Sequence, residues 1–199
     1  MDPLEELQSR TRWQLAGEAA AGFGRRFADL IESGEDIDGE ARLADAMAPR
    51  NARILDVGSG MGRVAAALVA RGHRVVAVEP DPDLVAQSRA TYPDVEVVHA
   101  DILGVELDHL GGDFDLVVVV GNVMVFLGED TERAVLARIA SLLTDGGRVL
   151  VGFQPTGGPG TARDYPPAEF VADVEASGLG VDLRLGTYEL HPPSDDYTV

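Results

Sequence analysis

Between Pro49 and Phe153, short and nearly continuous apolar runs alternate with stretches in which apolar residues return every three or four positions. The runs are ARILDVG, RVVAVEP, VEVVHAD, FDLVVVVGN and RVLVGF. Their valine content and lack of strict alternation predict parallel strands buried on both faces. Helix punctuation fills the gaps. In EPDPDLVAQSRA, Asp81 is placed to cap a helix with Pro82 at its first position. In EDTERAVLARIASLLTDGG, the residues Val135, Leu136, Ile139, Leu142 and Leu143 form one face, and Gly146 is expected to stop the helix. Strand and helix in alternation, joined by right-handed crossovers, predict an α/β fold with an open, doubly wound sheet. Ligands of such sheets sit beyond the carboxyl ends of the strands.

The flanks read differently. Leu15, Ala19, Phe23, Phe27, Leu30 and Ile31 recur at helical spacing before the Ser33-Gly34 break. A second short helix, opened by Asp36 or Asp38, is expected to bury Ala41, Leu43, Ala44 and Met47 before Pro49. After the fifth run comes the irregular loop QPTGGPGTARDYPP, then a helix near Ala168 to Ser177 ended by Gly178. The tail VDLRLGTYELHPPSDDYTV reads as two strands around a Pro192-Pro193 turn, the second cut short at Val199 or only partly built.

Composition then narrows the chemistry. A chain of 199 residues with 45% apolar positions suits one globular domain. Neither a membrane span nor a signal peptide is evident, which points to the cytoplasm. Cysteine is absent, removing thiolate nucleophiles and cysteine-based zinc sites. All 16 basic residues are arginine. Without lysine there is no Walker-type phosphate lysine, no Schiff base and no tyrosine-lysine pair for dehydrogenation. The formal net charge is -18, and the stretch from Asp101 to Asp130 holds seven acids and no arginine. Such a field repels phosphate backbones, so no nucleic-acid partner is expected.

The first strand runs into ILDVGSGMGRVAAAL, an apolar strand, a glycine turn and a helix start, the layout that grips ligands at a helix N-terminus. Its glycines, Gly58, Gly60 and Gly62, are spaced two by two rather than as Gly-x-Gly-x-x-Gly, and Asp56 stands at the strand end. Acids also close the next two strands: Glu79, followed by Pro80, and Asp101, followed by Ile102. A carboxylate at Glu79 offers two oxygens to the two hydroxyls of a ribose, and Asp101 is placed to accept from an exocyclic amine. Together they describe an adenosine.

Through LDVGSGMG, VVAVEPD, VEVVHADI and FDLVVVVGNVMVFL, in that order, the chain resembles the class I S-adenosylmethionine-dependent methyltransferases over about Asn51 to Phe153. The resemblance implies a Rossmann-like, doubly wound seven-stranded sheet, mostly parallel with an antiparallel last strand and helices on both faces. It implies one methyltransferase domain over residues 1–199, with 1–48 a helical cap over the substrate side and 49–199 the α/β core. It gives Gly58, Ser59, Gly60 and Gly62 to the methionine part of S-adenosylmethionine, Glu79 to the ribose, Asp101 with Ile102 to the adenine, and Gly121 and Asn122, with Val123, to the border of the sulfonium. Free amides of the glycine loop and the helix dipole would orient the cofactor's carboxylate, while Asp56 suits its ammonium and sulfonium charges.

The implied reaction moves a methyl group by in-line displacement to an O, N or C nucleophile of a small-molecule acceptor, leaving S-adenosylhomocysteine. Alignment and exclusion of water carry most of that task, and no metal is expected. The candidates for a general base are His191, Tyr165 and Tyr188. His73 and His109 precede strands, and His99 lies near the adenine side. Trp13 and Phe23 are weighed as acceptor-pocket residues against ordinary core, and Arg12 and Arg163 as anchors for an acidic acceptor against solvated charges. GNVMVFL lacks the Asn-Pro-Pro-Tyr signature of enzymes that methylate amide or adenine nitrogens. Two other readings stand beside this one: a non-catalytic module that binds the adenosyl cofactor, and an NAD(P)-dependent oxidoreductase, which the glycine spacing and Asp56 oppose.

Overall fold

A computed structural model describes residues 10–16, 30, 32–106, 110 and 113–199. The sheet is built from β1 (Arg53–Val57), β2 (Arg74–Glu79), β3 (Glu96–His99), β4 (Phe114–Val119) and β5 (Leu143–Val151). All are parallel, in the order β3-β2-β1-β4-β5. The strand order reverses between β1 and β4, so a crevice opens at their carboxyl ends.

Neighbouring residues of each strand face opposite sides of the sheet, and both sides are apolar. Leu55, Val57, Val76, Val78, Val117 and Val119 join one core with residues of α5 (Val123–Phe126), α6 (Glu132–Leu142) and α7 (Pro167–Ala176). Ile54, Val75, Ala77, Leu116 and Val118 join the other with α2 (Gly39–Met47), α3 (Arg63–Ala70) and α4 (Pro82–Thr91). This two-sided burial explains the unbroken valine runs. A further short helix, α1 (Arg12–Ala16), lies near α5.

The predicted helix from Leu15 to Ile31 falls mostly outside the described residues, as do Phe23 and His109. Between the second predicted helix and the structure the agreement is close: α2 buries Ala41 and Ala44. It packs on α3 in the layer covering one face of the sheet.

Two expectations need correction. The helix opened near Thr131 does not run on to Gly146: it ends at Leu142, and Leu143 turns extended to pair with Phe114 at the start of β5. Residues 144–147 loop out before pairing resumes at Leu116↔Arg148, with Gly146 at φ 76°. Nor do seven strands form among the described residues. The tail contributes one antiparallel bridge, Phe153↔Thr198, and a reciprocal backbone pair between Leu185 and Val199. Pro192 and Pro193 supply no amide donors, and Leu190 takes a positive φ of 66°, so the segment between turns away instead of continuing as a strand.

Candidate functional site

At the carboxyl ends of β1 to β4 lies a cavity lined by Gly58, Gly60, Glu79, Pro80, Leu84, Asp101, Ile102 and Gly121. Thr11, Trp13, Val123, Phe126 and Leu127 close it from the other side. Seven of the sequence-derived residues are thus brought to one place. Asp56, Ser59, Gly62 and Asn122 do not line the cavity.

The glycine loop behaves differently from the expectation of free amides. The amides of Gly58 and Ser59 both donate to the Val78 carbonyl, at 2.8 and 3.2 Å. That of Gly62 donates to the Ser59 carbonyl at 3.0 Å, and that of Gly60 to Glu79 Oε2 at 2.8 Å. The loop therefore spends these donors on holding itself against β2, and offers the cavity a surface bare of side chains. Gly58 has φ 67°, and a Cβ there would fall 2.6 Å from Val123 Cγ2, inside contact distance. Only glycine fits this turn.

Glu79, 4% exposed, also accepts from the Asp81 amide at 2.8 Å through Oε1. Each carboxylate oxygen has a second lone pair left for a ligand hydroxyl. Burial pushes its pKa up to about 7 against the lowering effect of the two amides. Asp56, 2% exposed, is likewise raised to about 7 by burial, opposed by the Arg63 charge and the Ala65 amide. Its Oδ2 and the Ser59 hydroxyl are buried without a hydrogen-bond partner. Neither residue lines the cavity, so these unmet polar atoms sit beneath the glycine loop, with Asp56 facing the start of α3. Asp101 accepts from the Leu103 amide at 2.8 Å through Oδ1, a local turn that aims the carboxylate at the end of β3.

Asn122, at φ 74°, accepts from the Gln154 amide at 2.7 Å and so ties the end of β4 to the segment after β5. Its side chain is structural, and Gly121 is what reaches the cavity. Tyr165 is fully buried, stacked on Phe153, with its hydroxyl donating to Asp173 at 2.6 Å. Burial, then that bond, raises its pKa, and it does not line the cavity. His191 is exposed in the tail and does not line it either. The Tyr188 hydroxyl meets that of Tyr197 at 3.0 Å, and burial raises both, Tyr197 to about 12. His99 pairs with the Pro80 carbonyl at 3.2 Å, and His73 is buried against Asp45 and the Ala52 amide.

Arg12 and Arg163 are not solvated charges. Both reach Glu132 Oε1, at 3.3 and 2.7 Å, and Glu132 is buried. Sequence reading missed Glu132, because an acid in the first turn of a helix ordinarily signals only dipole stabilisation. Trp13 donates through Nε1 to Asp81 Oδ2 at 2.8 Å and packs edge-on against Phe126 at 5.4 Å. No helix among the described residues is long and apolar enough to cross a membrane.

A parallel sheet with an acid closing β2 and a cavity at its switch point defines a Rossmann-like, adenosine-binding class of site. The comparisons resolve the family. The family described as Methyltransferase domain matches residues 54–147. The crystal structure of a TehB-like SAM-dependent methyltransferase from Corynebacterium glutamicum ATCC 13032 Kitasato is 35% identical with a TM-score of 0.81, covering 90% of this chain and 94% of that one. A methyltransferase of Mycobacterium tuberculosis is 39% identical over 112 residues, 55% of this chain and 54% of that protein. Ribosomal RNA small subunit methyltransferase A of Geobacter metallireducens is 45% identical over 74 residues, 35% of this chain and 27% of that protein. The chain spans about half the length of the first curated relatives it matches. It belongs to the S-adenosylmethionine-dependent methyltransferases, and S-adenosylmethionine is the cofactor. Relatives that act on ribosomal RNA leave the expectation of no nucleic-acid partner without support from this quarter.

Proposed function

We propose that the chain transfers a methyl group from S-adenosylmethionine to a small-molecule acceptor, as a single domain. The observation that carries this reading is the cavity itself: a buried carboxylate, Glu79, pinned by the amide of Gly60, which lines the cavity with Gly58. Glu79 and Pro80 hold the ribose, Asp101 and Ile102 the adenine, and Gly58, Gly60 and Gly121 the path of the methionine arm, with Asp56 and Ser59 behind it. When bound, the cofactor supplies an activated methyl carbon on a sulfonium.

The protein's part is to align the acceptor with that carbon and keep water away. The cavity walls Val57, Val78, Leu84, Ala100, Val123, Phe126 and Leu127 are apolar and suit the second task. Glu79 and Asp101 are the ionisable groups among the lining residues, and both are assigned to the cofactor. The reading therefore favours an acceptor atom that carries its lone pair at neutral pH, needing no general base.

Calorimetric titration with S-adenosylmethionine, S-adenosylhomocysteine and NAD in parallel tests the cofactor. Micromolar binding of both adenosyl compounds without NAD is the expected result. Binding of NAD alone would overturn the reading.

A further inference from the structure

The wall of the cavity opposite the glycine loop comes from a distant part of the chain. Hydrogen bonds to three other parts of the chain seat it: the β2–α4 junction, the segment from Leu127 to Glu132 and the loop after β5. Trp13 lines the cavity together with Glu79, Pro80 and Leu84, and its indole donates to Asp81, two residues beyond the proposed ribose carboxylate. Arg12 donates to the Leu127 carbonyl at 2.7 Å and to Glu132. Thr161, in the loop after β5, donates through its hydroxyl to the Arg12 carbonyl at 2.6 Å.

Glu132 gathers these pieces. It is buried, and its Oε1 takes both Arg12 from the N-terminal segment and Arg163 from the loop after β5. Burial works against the Arg163 charge, and the bonds to Glu132 and Glu169 more than offset it, so its pKa stands above the ordinary value. Arg163 also lies over the Tyr165 ring at 4.3 Å, which fixes it to the core. Loss of Glu132 would leave Arg12 without its carboxylate, whereas loss of Arg12 leaves Glu132 paired with Arg163 and frees only the N-terminal segment.

We propose that Thr11–Trp13 is the closing wall of the cofactor site, with Trp13 in contact with the adenosyl moiety and Glu132 the positioning residue that holds the wall shut through Arg12. The inference rests on the assignment of the cavity to S-adenosylmethionine. It adds a residue that the motifs do not contain, and assigns Trp13 to the cofactor rather than the acceptor. Release of the bound nucleoside requires the Arg12–Glu132 and Trp13–Asp81 contacts to part, so this wall governs the off-rate more than the on-rate.

Trp13 is the single tryptophan of the chain, which makes the test direct. S-adenosylhomocysteine is titrated into the wild type while calorimetry and indole emission are followed, and the dissociation of radiolabelled S-adenosylhomocysteine is timed by rapid filtration, which reads every variant including the one without tryptophan. Saturation should shift the emission with the calorimetric affinity. Trp13→Ala and Arg12→Ala should each raise the off-rate about ten-fold with the on-rate within about two-fold. Arg12→Lys should recover part of the loss. Glu132→Gln should behave as Arg12→Ala does. Should that variant fail to fold, judged by circular dichroism, Arg12→Ala decides alone. Calorimetric binding with an unchanged indole, or with off-rates untouched in Trp13→Ala and Arg12→Ala, overturns the proposal while sparing the cofactor site. Absence of calorimetric binding overturns both.

Discussion

In the proposed site, Glu79 is both buried and engaged. Its two oxygens are anchored by the Gly60 and Asp81 amides, so a ligand hydroxyl meets a carboxylate already in position and loses little by ordering it. Hydrogen bonds to a charged acceptor contribute about 1.5–3 kcal/mol. Glu79→Ala should therefore weaken S-adenosylhomocysteine binding by roughly 10- to 100-fold in calorimetry. The ionised form is the better acceptor, and burial has raised the pKa to about 7. Affinity should accordingly rise with pH through about 7, and binding at pH 7 should release protons, visible as a binding heat that changes with the buffer's ionisation heat. Stability runs the other way. Asp56 and Glu79 ordinarily titrate at 3.8 and 4.5, and both stand near 7 in the folded chain. Between those values the folded state holds more protons than the unfolded one. Their contribution is thus complete below about pH 4 and is lost as pH rises through about 7. The Tm of Glu79→Gln without cofactor should fall less than that of the wild type across this window, and equal slopes would refute the assignment.

At the scale of elements, the β2–α4 junction does two jobs with one side chain. Asp81 Oδ1 accepts from the Asp83 and Leu84 amides at 2.9 and 3.3 Å, capping α4, while Oδ2 holds Trp13. Loss of such a cap costs about 1 kcal/mol, or about 2–4 °C in Tm for a chain of this size. Asp81→Ala should show that loss together with a changed Trp13 emission, whereas Asp81→Asn should keep the helix and alter the emission less. The cap was legible in EPDPDLVAQSRA because the sequence alone carries it: an acceptor, then a proline whose missing donor costs nothing. The strand runs were legible for a similar reason, since burial on both faces leaves few polar positions to interrupt them. What was not legible depended on partners far along the chain. Arg12 and Arg163 read as solvent charges because Glu132 lies more than 30 residues from each, at distances only the fold removes. The end of α6 was misplaced because pairing of Leu143 with Phe114 outweighs the helical period that Leu143 continues.

For the whole molecule, charge supports the proposed small-molecule acceptor where the fold leaves the acceptor class open. The relatives include methyltransferases of ribosomal RNA, yet this chain carries a formal charge of -18 and no lysine. An RNA acceptor must be met by cations, and each phosphate neutralised contributes to binding in proportion to the logarithm of salt concentration. Among the described residues, Arg12, next to the cavity-lining Thr11 and Trp13, and Arg163 are already paired with Glu132, and Arg163 also with Glu169. Recruiting them for phosphate would open the wall that they hold. Small neutral or cationic acceptors face no such conflict, and the acidic field attracts the latter. RNA of ribosomal stem-loop length should therefore show no binding in filter assays at about 0.15 M salt. Lowering the salt should recover at most a weak, non-specific association. Methyl transfer to a small amine should change little between low and physiological salt, if the amine is neutral, and fall with salt if it is cationic. RNA binding with a steep negative salt slope, retained beside S-adenosylhomocysteine, would instead mean that a basic surface outside this mouth supplies the phosphate contacts, and that the acceptor is RNA.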